Sequence, residues 1–213
     1  MTRDPATQPR IRTAPANPRR ALALWQLAAV AVVTLIASLL HFAYELSGFW
    51  TPMAQFGSVN ESTYEHLKIF FWGGLIFALI QHAYVKEYAN NYWAAKAVAL
   101  AVTPLGIIVS FYFYLGIVLP IWGRGTLALD IGTGVFGVVL GEWLAYRIMV
   151  SPQRGSTSKR RGLAAIAIMT VLAISLTWLP PRMFLFENFY GYEYSGDYGI
   201  LDDYTPYLVF EPE

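Results

Sequence analysis

The apolar residues of this chain fall in long blocks rather than at the period of an amphipathic helix or strand. Five blocks predict membrane-spanning helices, because each reaches or approaches the roughly 20 residues needed to cross about 30 Å of hydrocarbon. The predicted spans are residues 21–43, 66–84, 94–121, 126–149 and 163–179. The third is longer than a bilayer requires and contains Pro104, which predicts a tilt or a kink. The pattern therefore predicts an all-α polytopic bundle of five transmembrane helices.

The segments that flank the predicted bundle, residues 21–180, differ in composition. Residues 1–20 hold four prolines and five arginines but few large apolar side chains, which predicts a disordered basic tail. Residues 181–213 are acidic and rich in Phe and Tyr. Disordered tails are usually poor in aromatic residues. We therefore expect this tail to be ordered over the mouth of the bundle, as a lid or as a surface for a protein partner.

Composition and charge set the environment and the orientation. The 213 residues are 56% hydrophobic and 14% charged, whereas soluble domains carry about 25% charged residues. Twelve of the fifteen Lys and Arg residues lie in the N-terminal tail, around the second loop, which includes Lys86 and Lys96, and around the fourth loop. The positive-inside rule then predicts a cytoplasmic N-terminus. We expect the lipid bilayer as the partner and no nucleic acid, and the absence of cysteine excludes disulfides and thiolate chemistry.

Polar residues form a stripe on the first predicted helix. Thr34, Ser38, His41 and Glu45 lie within a narrow angular range at the helical period. Such a stripe is expensive against lipid, so it should face the interior of the bundle. It ends in a His/Glu pair one turn apart, at the outer end of the helix.

A second polar segment precedes the second predicted span. Ser58 with Glu61 three residues later has the spacing of a capping box, which predicts that a helix begins there. On that helix Glu61, Glu65 and Lys68 share one face, and His66 points about 100° away from Glu65. The first two helices are antiparallel neighbours, so their polar ends can meet near the outer membrane surface.

Three interpretations of this polar cluster stay open. Carboxylates and imidazoles on helices suit a divalent metal such as zinc or iron. The candidate metal ligands are His41, Glu45, Glu61, Glu65 and His66. In a metal-dependent enzyme at the outer leaflet, Glu61 or Glu65 would be the catalytic base. The same residues also fit a hydrogen-bonded network, with Lys68 neutralising Glu61 or Glu65 and His41 bonded to Glu45. The third interpretation is a pocket for a small ligand or a lipid headgroup.

The two polar segments together resemble the DUF6512 family of uncharacterised bacterial membrane proteins. The resemblance lies in His-Phe-x-Tyr-Glu from His41 and Val-Asn-Glu-Ser-x-x-Glu-His-Leu-Lys from Val59, and it is specific over residues 38–70. Tyr64 stands where similar sequences carry Trp, which preserves an aromatic ring. The resemblance implies a multi-pass protein of the bacterial plasma membrane. It does not imply any particular activity. The signature residues that it implies are His41, Glu45, Asn60, Glu61, Glu65, His66 and Lys68.

The fourth span adds two further features. Its Gly137 and Gly141 form a G-x-x-x-G pattern that favours close packing against another helix. Asp130 shares their face and would join the outer cluster, whereas Glu142 would pair with His82 near the inner end. The sequence therefore predicts an integral membrane protein with a His/Glu cluster at its extracytoplasmic face that binds a ligand or a metal. Catalysis by a metal-dependent enzyme, a role as a partner-binding or scaffold membrane protein, and the oligomeric state stay open.

Overall fold

The computed structural model describes residues 15–190 and 193–200. Within these residues, five helices are long and apolar enough to cross a membrane. They are α1 Pro18–Leu46, α2 Thr63–Val85, α3 Tyr92–Trp122, α4 Leu127–Met149 and α5 Gly155–Trp178. An antiparallel hairpin follows, formed by β1 Glu187–Tyr190 and β2 Glu193–Tyr198. The predicted five-helix polytopic bundle is confirmed, and the hairpin is an addition to the predicted all-helical fold.

Helix α1 begins three residues earlier than hydropathy predicts, at Pro18 instead of residue 21. The side chain of Asn17 accepts a hydrogen bond from the backbone N–H of Arg20 at 3.0 Å, and Pro18 occupies the first helical position. Both features favour a helix start there, so Arg19 and Arg20 belong to α1 and not to the predicted tail. Most of that tail, residues 1–14, lies outside the described residues.

Helix α3 is 31 residues long and contains an irregular turn. It is α-helical through Pro104, changes to a π-helical turn at Tyr114–Val118, and ends in a last α-helical turn at Trp122. Gly123 then closes the helix with a φ of +69°, a conformation that glycine adopts without steric cost.

Glycines allow α3 and α4 to pack closely. A Cβ atom on Gly106 would lie 2.9 Å from the Cα of Gly137, and one on Gly137 would lie 2.5 Å from the carbonyl oxygen of Thr103. A Cβ on Gly141 would collide with the hydroxyl of Thr103 and lie 2.8 Å from the carbonyl oxygen of Ala99. The packing role predicted for the G-x-x-x-G pattern is therefore confirmed.

A buried ion pair joins the same two helices next to the Gly141 contact. The ammonium group of Lys96 lies 2.7 and 3.0 Å from the two carboxylate oxygens of Glu142, and both side chains are buried. Glu142 therefore does not pair with His82, whose ring lies against Tyr92 and Trp93. Lys96 was counted with the basic residues that set the orientation, but it lies inside the bundle and contributes no surface charge.

The two ends of the bundle differ in character. The hairpin lies over the end where α1 finishes and α2 begins, which we call the hairpin face. The opposite end, where α1 begins, carries the α2–α3 and α4–α5 loops, and we call it the basic face. Its exposed basic residues are Arg19, Arg20, Lys86, Arg147, Arg154, Lys159, Arg160 and Arg161.

Candidate functional site

Three side chains of the predicted cluster converge at the hairpin face. The Nε2 atom of His41 lies 3.3 Å from Oε1 of Glu61, and the Nε2 atom of His66 lies 3.4 Å from Oε2 of the same carboxylate. One ligand atom from each of the three residues lies within 4.8 Å of the others. The side chains of His41, Glu61 and His66 are 22%, 20% and 35% exposed respectively, so the group is only partly buried.

The start of α2 places Glu61 between the two imidazoles. The hydroxyl of Ser62 accepts a hydrogen bond from the backbone N–H of Glu65 at 3.3 Å and caps the helix. The side chain of Asn60 orders the preceding turn by accepting from the N–H of Ser62 at 2.9 Å. The predicted cap at Ser58 is therefore wrong, because Ser62 caps the helix instead. Ser58 and Ser62 each precede a glutamate by three residues, so both have the same spacing. Glu61 consequently lies in the loop before the helix.

Backbone and tail contacts orient the site residues. Nδ1 of His66 lies 2.9 Å from the carbonyl oxygen of Ser62. A carbonyl only accepts, so Nδ1 carries the proton and directs Nε2 toward Glu61. The backbone N–H of Glu61 donates to the side-chain oxygen of Asn188 at 2.9 Å, across 127 positions of sequence. Asn188 lies in β1 and is fully buried. The sequence analysis missed it, because nothing marks one Asn in an aromatic tail.

The electrostatics favour an ionised Glu61. Burial raises the pKa of its carboxyl group, but the hydrogen bond and charge of His66 and the charge of His41 outweigh burial. The pKa of Glu61 consequently lies below the ordinary value of 4.5. Within the described residues, Nδ1 of His41 is buried without a hydrogen-bond partner, and Oε1 of Glu61 is buried with the 3.3 Å ion-pair contact to Nε2 of His41 but no hydrogen bond. Such atoms are uncommon in folded proteins, so the site has free coordinating capacity.

Glu65 and Lys68 form a separate structural ion pair. The ammonium of Lys68 lies 2.6 Å from Oε2 of Glu65 and also donates to the carbonyl of Ala54 at 2.7 Å and the hydroxyl of Thr177 at 3.1 Å. The same carboxylate oxygen accepts from the backbone N–H of Val59 at 2.9 Å. Both ionic side chains are buried. The pair therefore connects α2, the preceding loop and α5, and Glu65 is not one of the converging residues.

The remaining predicted site residues lie outside the converging group. Glu45 is on the last turn of α1 and Asp130 on the first turn of α4, and neither belongs to the three-residue group found among the described residues. His41 on α1 faces Glu61, which lies in the α1–α2 loop, whereas the network interpretation paired His41 with Glu45. Asn60 is buried and shapes the turn before α2.

The segment after α5 is anchored beside the site. The ring of Tyr64 stacks on Phe186 with centroids 4.6 Å apart and planes at 26°. The backbone N–H of Tyr64 donates to the carbonyl of Leu185 at 2.7 Å, and its hydroxyl donates to the carbonyl of Ala173 at 2.7 Å. The aromatic ring in the signature therefore holds the tail against α2. Residues 201–213 of the predicted tail lie outside the described residues.

The fold and the site define a class: a multi-pass membrane bundle with a His/Glu cluster at one face. The chain belongs to DUF6512, a family of unknown function, whose sequence profile matches residues 16–200. The matched region contains all five helices and both strands of the hairpin. None of the curated proteins and none of the solved structures matches this chain.

Proposed function

We propose that this protein binds a divalent transition-metal ion, zinc or iron(II), through His41, Glu61 and His66. The distances between the ligand atoms carry this proposal. When four ligands surround a metal tetrahedrally at about 2.0–2.1 Å, neighbouring ligand atoms lie about 3.3 Å apart. The two imidazoles contact different oxygens of the Glu61 carboxylate, at 3.3 and 3.4 Å, and one ligand atom from each residue lies within 4.8 Å of the others. An ion held by all three residues would draw these ligand atoms closer together.

The surroundings of His66 support the same proposal. Metal-ligating histidines usually donate their second ring N–H to a carbonyl or a carboxylate, and Nδ1 of His66 lies 2.9 Å from the Ser62 carbonyl. Nε2 of His66 and the ionised carboxylate of Glu61 face each other at 3.4 Å, so either a proton on the imidazole or a bound cation lies between them. Two histidines and one carboxylate are the donor set of many zinc and iron(II) centres.

The number of ligands favours a reactive centre over a purely structural one. Structural zinc sites are closed by four protein ligands, whereas catalytic sites keep a position for water or substrate. The proposed centre has three ligands, all partly exposed. A metal-dependent enzyme that acts at the outer leaflet of the plasma membrane is therefore the second candidate. In that enzyme the buried Glu65 would remain paired with Lys68, and Glu61 would be a ligand.

We further propose that the protein resides in a bacterial plasma membrane with its N-terminus in the cytoplasm. The support is the excess of exposed Lys and Arg at the basic face. The hairpin face and the proposed metal centre would then be extracytoplasmic, with the hairpin as a cover anchored through Tyr64 and Asn188.

The test is metal binding by protein purified without a histidine tag. We expect about one zinc or iron(II) ion per chain by elemental analysis, from the single centre proposed. A Glu61→Gln variant should bind at least about tenfold more weakly, because loss of a ligand exceeds the 10–100-fold effect of second-shell changes. Binding should also weaken on acidification, since protons compete for the two imidazoles.

Matched variants make the result specific. Glu45→Gln removes a carboxylate on α1 outside the converging group, and His82→Asn removes the histidine at the opposite end. Both should retain the affinity of the unmodified protein. Metal-free protein that also fails to bind zinc or iron(II) in titration would refute the proposal and leave a proton-bridged His/Glu network. Equal binding by the Glu61→Gln variant would refute it as well.

A further inference from the structure

A cleft of about 170 Å³ opens at the basic face, far from the proposed metal centre. It lies between the end of α2, the α2–α3 loop, the α4–α5 loop and the start of α5. Among the residues that line it are Lys86, His82, Trp93, Gln153 and Lys159. Its volume exceeds by far the roughly 10–15 Å³ that one water molecule needs, so a tetrahedral anion with several waters fits inside.

The wall of the cleft is held by Asn91, which is 6% exposed. Its side-chain oxygen accepts from the backbone N–H of Arg154 at 2.7 Å, and its amide nitrogen donates to the carbonyl of Pro152 at 2.9 Å. Its own backbone N–H donates to the side-chain oxygen of Gln153 at 3.2 Å. These bonds fasten the α2–α3 loop to the α4–α5 loop. The cleft is consequently a built feature rather than a gap between two independent loops.

The charges around the cleft have one sign. Lys86 and Lys159 both line it, and none of its lining residues, all within the described part of the chain, is acidic. The nearest carboxylate contact of Lys86 is to Glu87, at 4.0 Å, between two mostly exposed side chains. The cleft also includes Gly155, the first residue of α5, and helix N-termini favour anions.

We infer that this cleft binds a phosphate group at the membrane surface, contributed by an anionic lipid headgroup or by a soluble phosphorylated compound. Basic pockets between helices on the cytoplasmic side attract anionic headgroups, and Trp93 supplies an aromatic side chain of the kind enriched at that interface. The inference is independent of the proposed metal centre, which lies at the opposite face.

The experiment uses full-length, delipidated protein and two probes. Phosphatidylglycerol and phosphatidylcholine are titrated separately and retained lipid is counted by native mass spectrometry. Inorganic phosphate is added in a second arm, against chloride at equal ionic strength, with the thermal unfolding midpoint as the readout. Replacing both Lys86 and Lys159 by Gln should weaken binding by about fivefold or more for whichever of phosphatidylglycerol and inorganic phosphate the unmodified protein binds. This is the effect expected for removal of lysines near an anionic surface.

Replacing Arg160 and Arg161 by Gln is the matched control, because both are exposed on the first turns of α5 but do not line the cleft. Preference for phosphatidylglycerol that the lysine variant loses and the arginine variant keeps would identify a lipid headgroup. Stabilisation by inorganic phosphate that the lysine variant loses and the arginine variant keeps would identify a soluble phosphate compound. Equal binding by the unmodified protein and the lysine variant, or equal loss in the two variants, would overturn the inference.

Discussion

At the scale of single residues, Glu61 and Glu65 show how position decides the role of a side chain. Glu61 lies in the loop before α2, is 20% exposed and faces two imidazoles. Glu65 lies in the first turn of the helix, is 1% exposed and contacts the ammonium of Lys68 at 2.6 Å. One carboxylate therefore has capacity for a ligand, whereas the other maintains the fold.

This difference predicts unequal effects on stability. Glu65→Gln would leave the ammonium of Lys68 buried without its counter-ion, and breaking a buried ion pair costs about 3–5 kcal/mol. Glu61→Gln should cost about 1 kcal/mol, since it exchanges one partly exposed hydrogen-bonding group for another. The free energies of unfolding, measured in mixed detergent micelles for the metal-free proteins, should differ accordingly.

A double variant tests the cause of the effect. Combining Glu65→Gln with Lys68→Met removes the orphaned charge, and replacing a buried pair is often far less costly than breaking it. The double variant should therefore recover much of the lost stability. Equal costs for Glu65→Gln and Glu61→Gln would show that the ion pair is not the structural contact inferred here.

At the scale of secondary-structure elements, glycines determine the distance between α3 and α4. Gly106, Gly137 and Gly141 leave no room for a Cβ atom, so the two backbones approach closely. The same close approach brings Lys96 within 2.7 Å of Glu142, the residue that directly follows Gly141. Helix packing and the buried ion pair therefore depend on each other.

A larger side chain in this contact should separate the helices. Gly141→Leu would place atoms against Thr103 and Ala99, and overpacking of this kind costs about 1–3 kcal/mol. Gly132→Leu is the matched control, because a Cβ atom on Gly132 of the same helix has no neighbour within 4 Å. Unfolding free energies of the two variants should differ by that amount, and equal values would contradict close packing at Gly141.

At the scale of the whole molecule, chemistry is divided between two faces. The hairpin face holds the two histidines and Glu61 under an aromatic cover, whereas the basic face carries exposed Lys and Arg residues around a cleft. Membrane insertion would keep the two faces in different compartments. The orientation therefore decides which compartment reaches each site.

Cysteine labelling tests the orientation, and the absence of native cysteine makes it direct. Ser195→Cys places a thiol on the hairpin and Ser156→Cys places one at the start of α5, both at exposed positions. In intact bacterial cells, a membrane-impermeant maleimide should label only the first, because the N-terminus is predicted to be cytoplasmic. Labelling of the second alone would reverse the orientation. Both should react after lysis.

The sequence by itself determined the five helices and the identity of the signature residues. A helix that crosses lipid must make all its backbone hydrogen bonds within itself and present apolar side chains over a fixed length. Each span can therefore be recognised from a continuous segment of the sequence. The signature residues were likewise recognisable, because they form polar segments between the apolar spans.

Only the tertiary structure decided which polar groups meet. Lys96 and Glu142 are 46 positions apart, and Glu61 and Asn188 are 127 positions apart. The sequence predicted a helix start at Ser58, whereas the helix is capped by Ser62, and this shift of four residues puts Glu61 in the loop before α2. Ion pairs and hydrogen bonds act over about 3 Å, so partners are chosen by how the helices pack and not by local sequence.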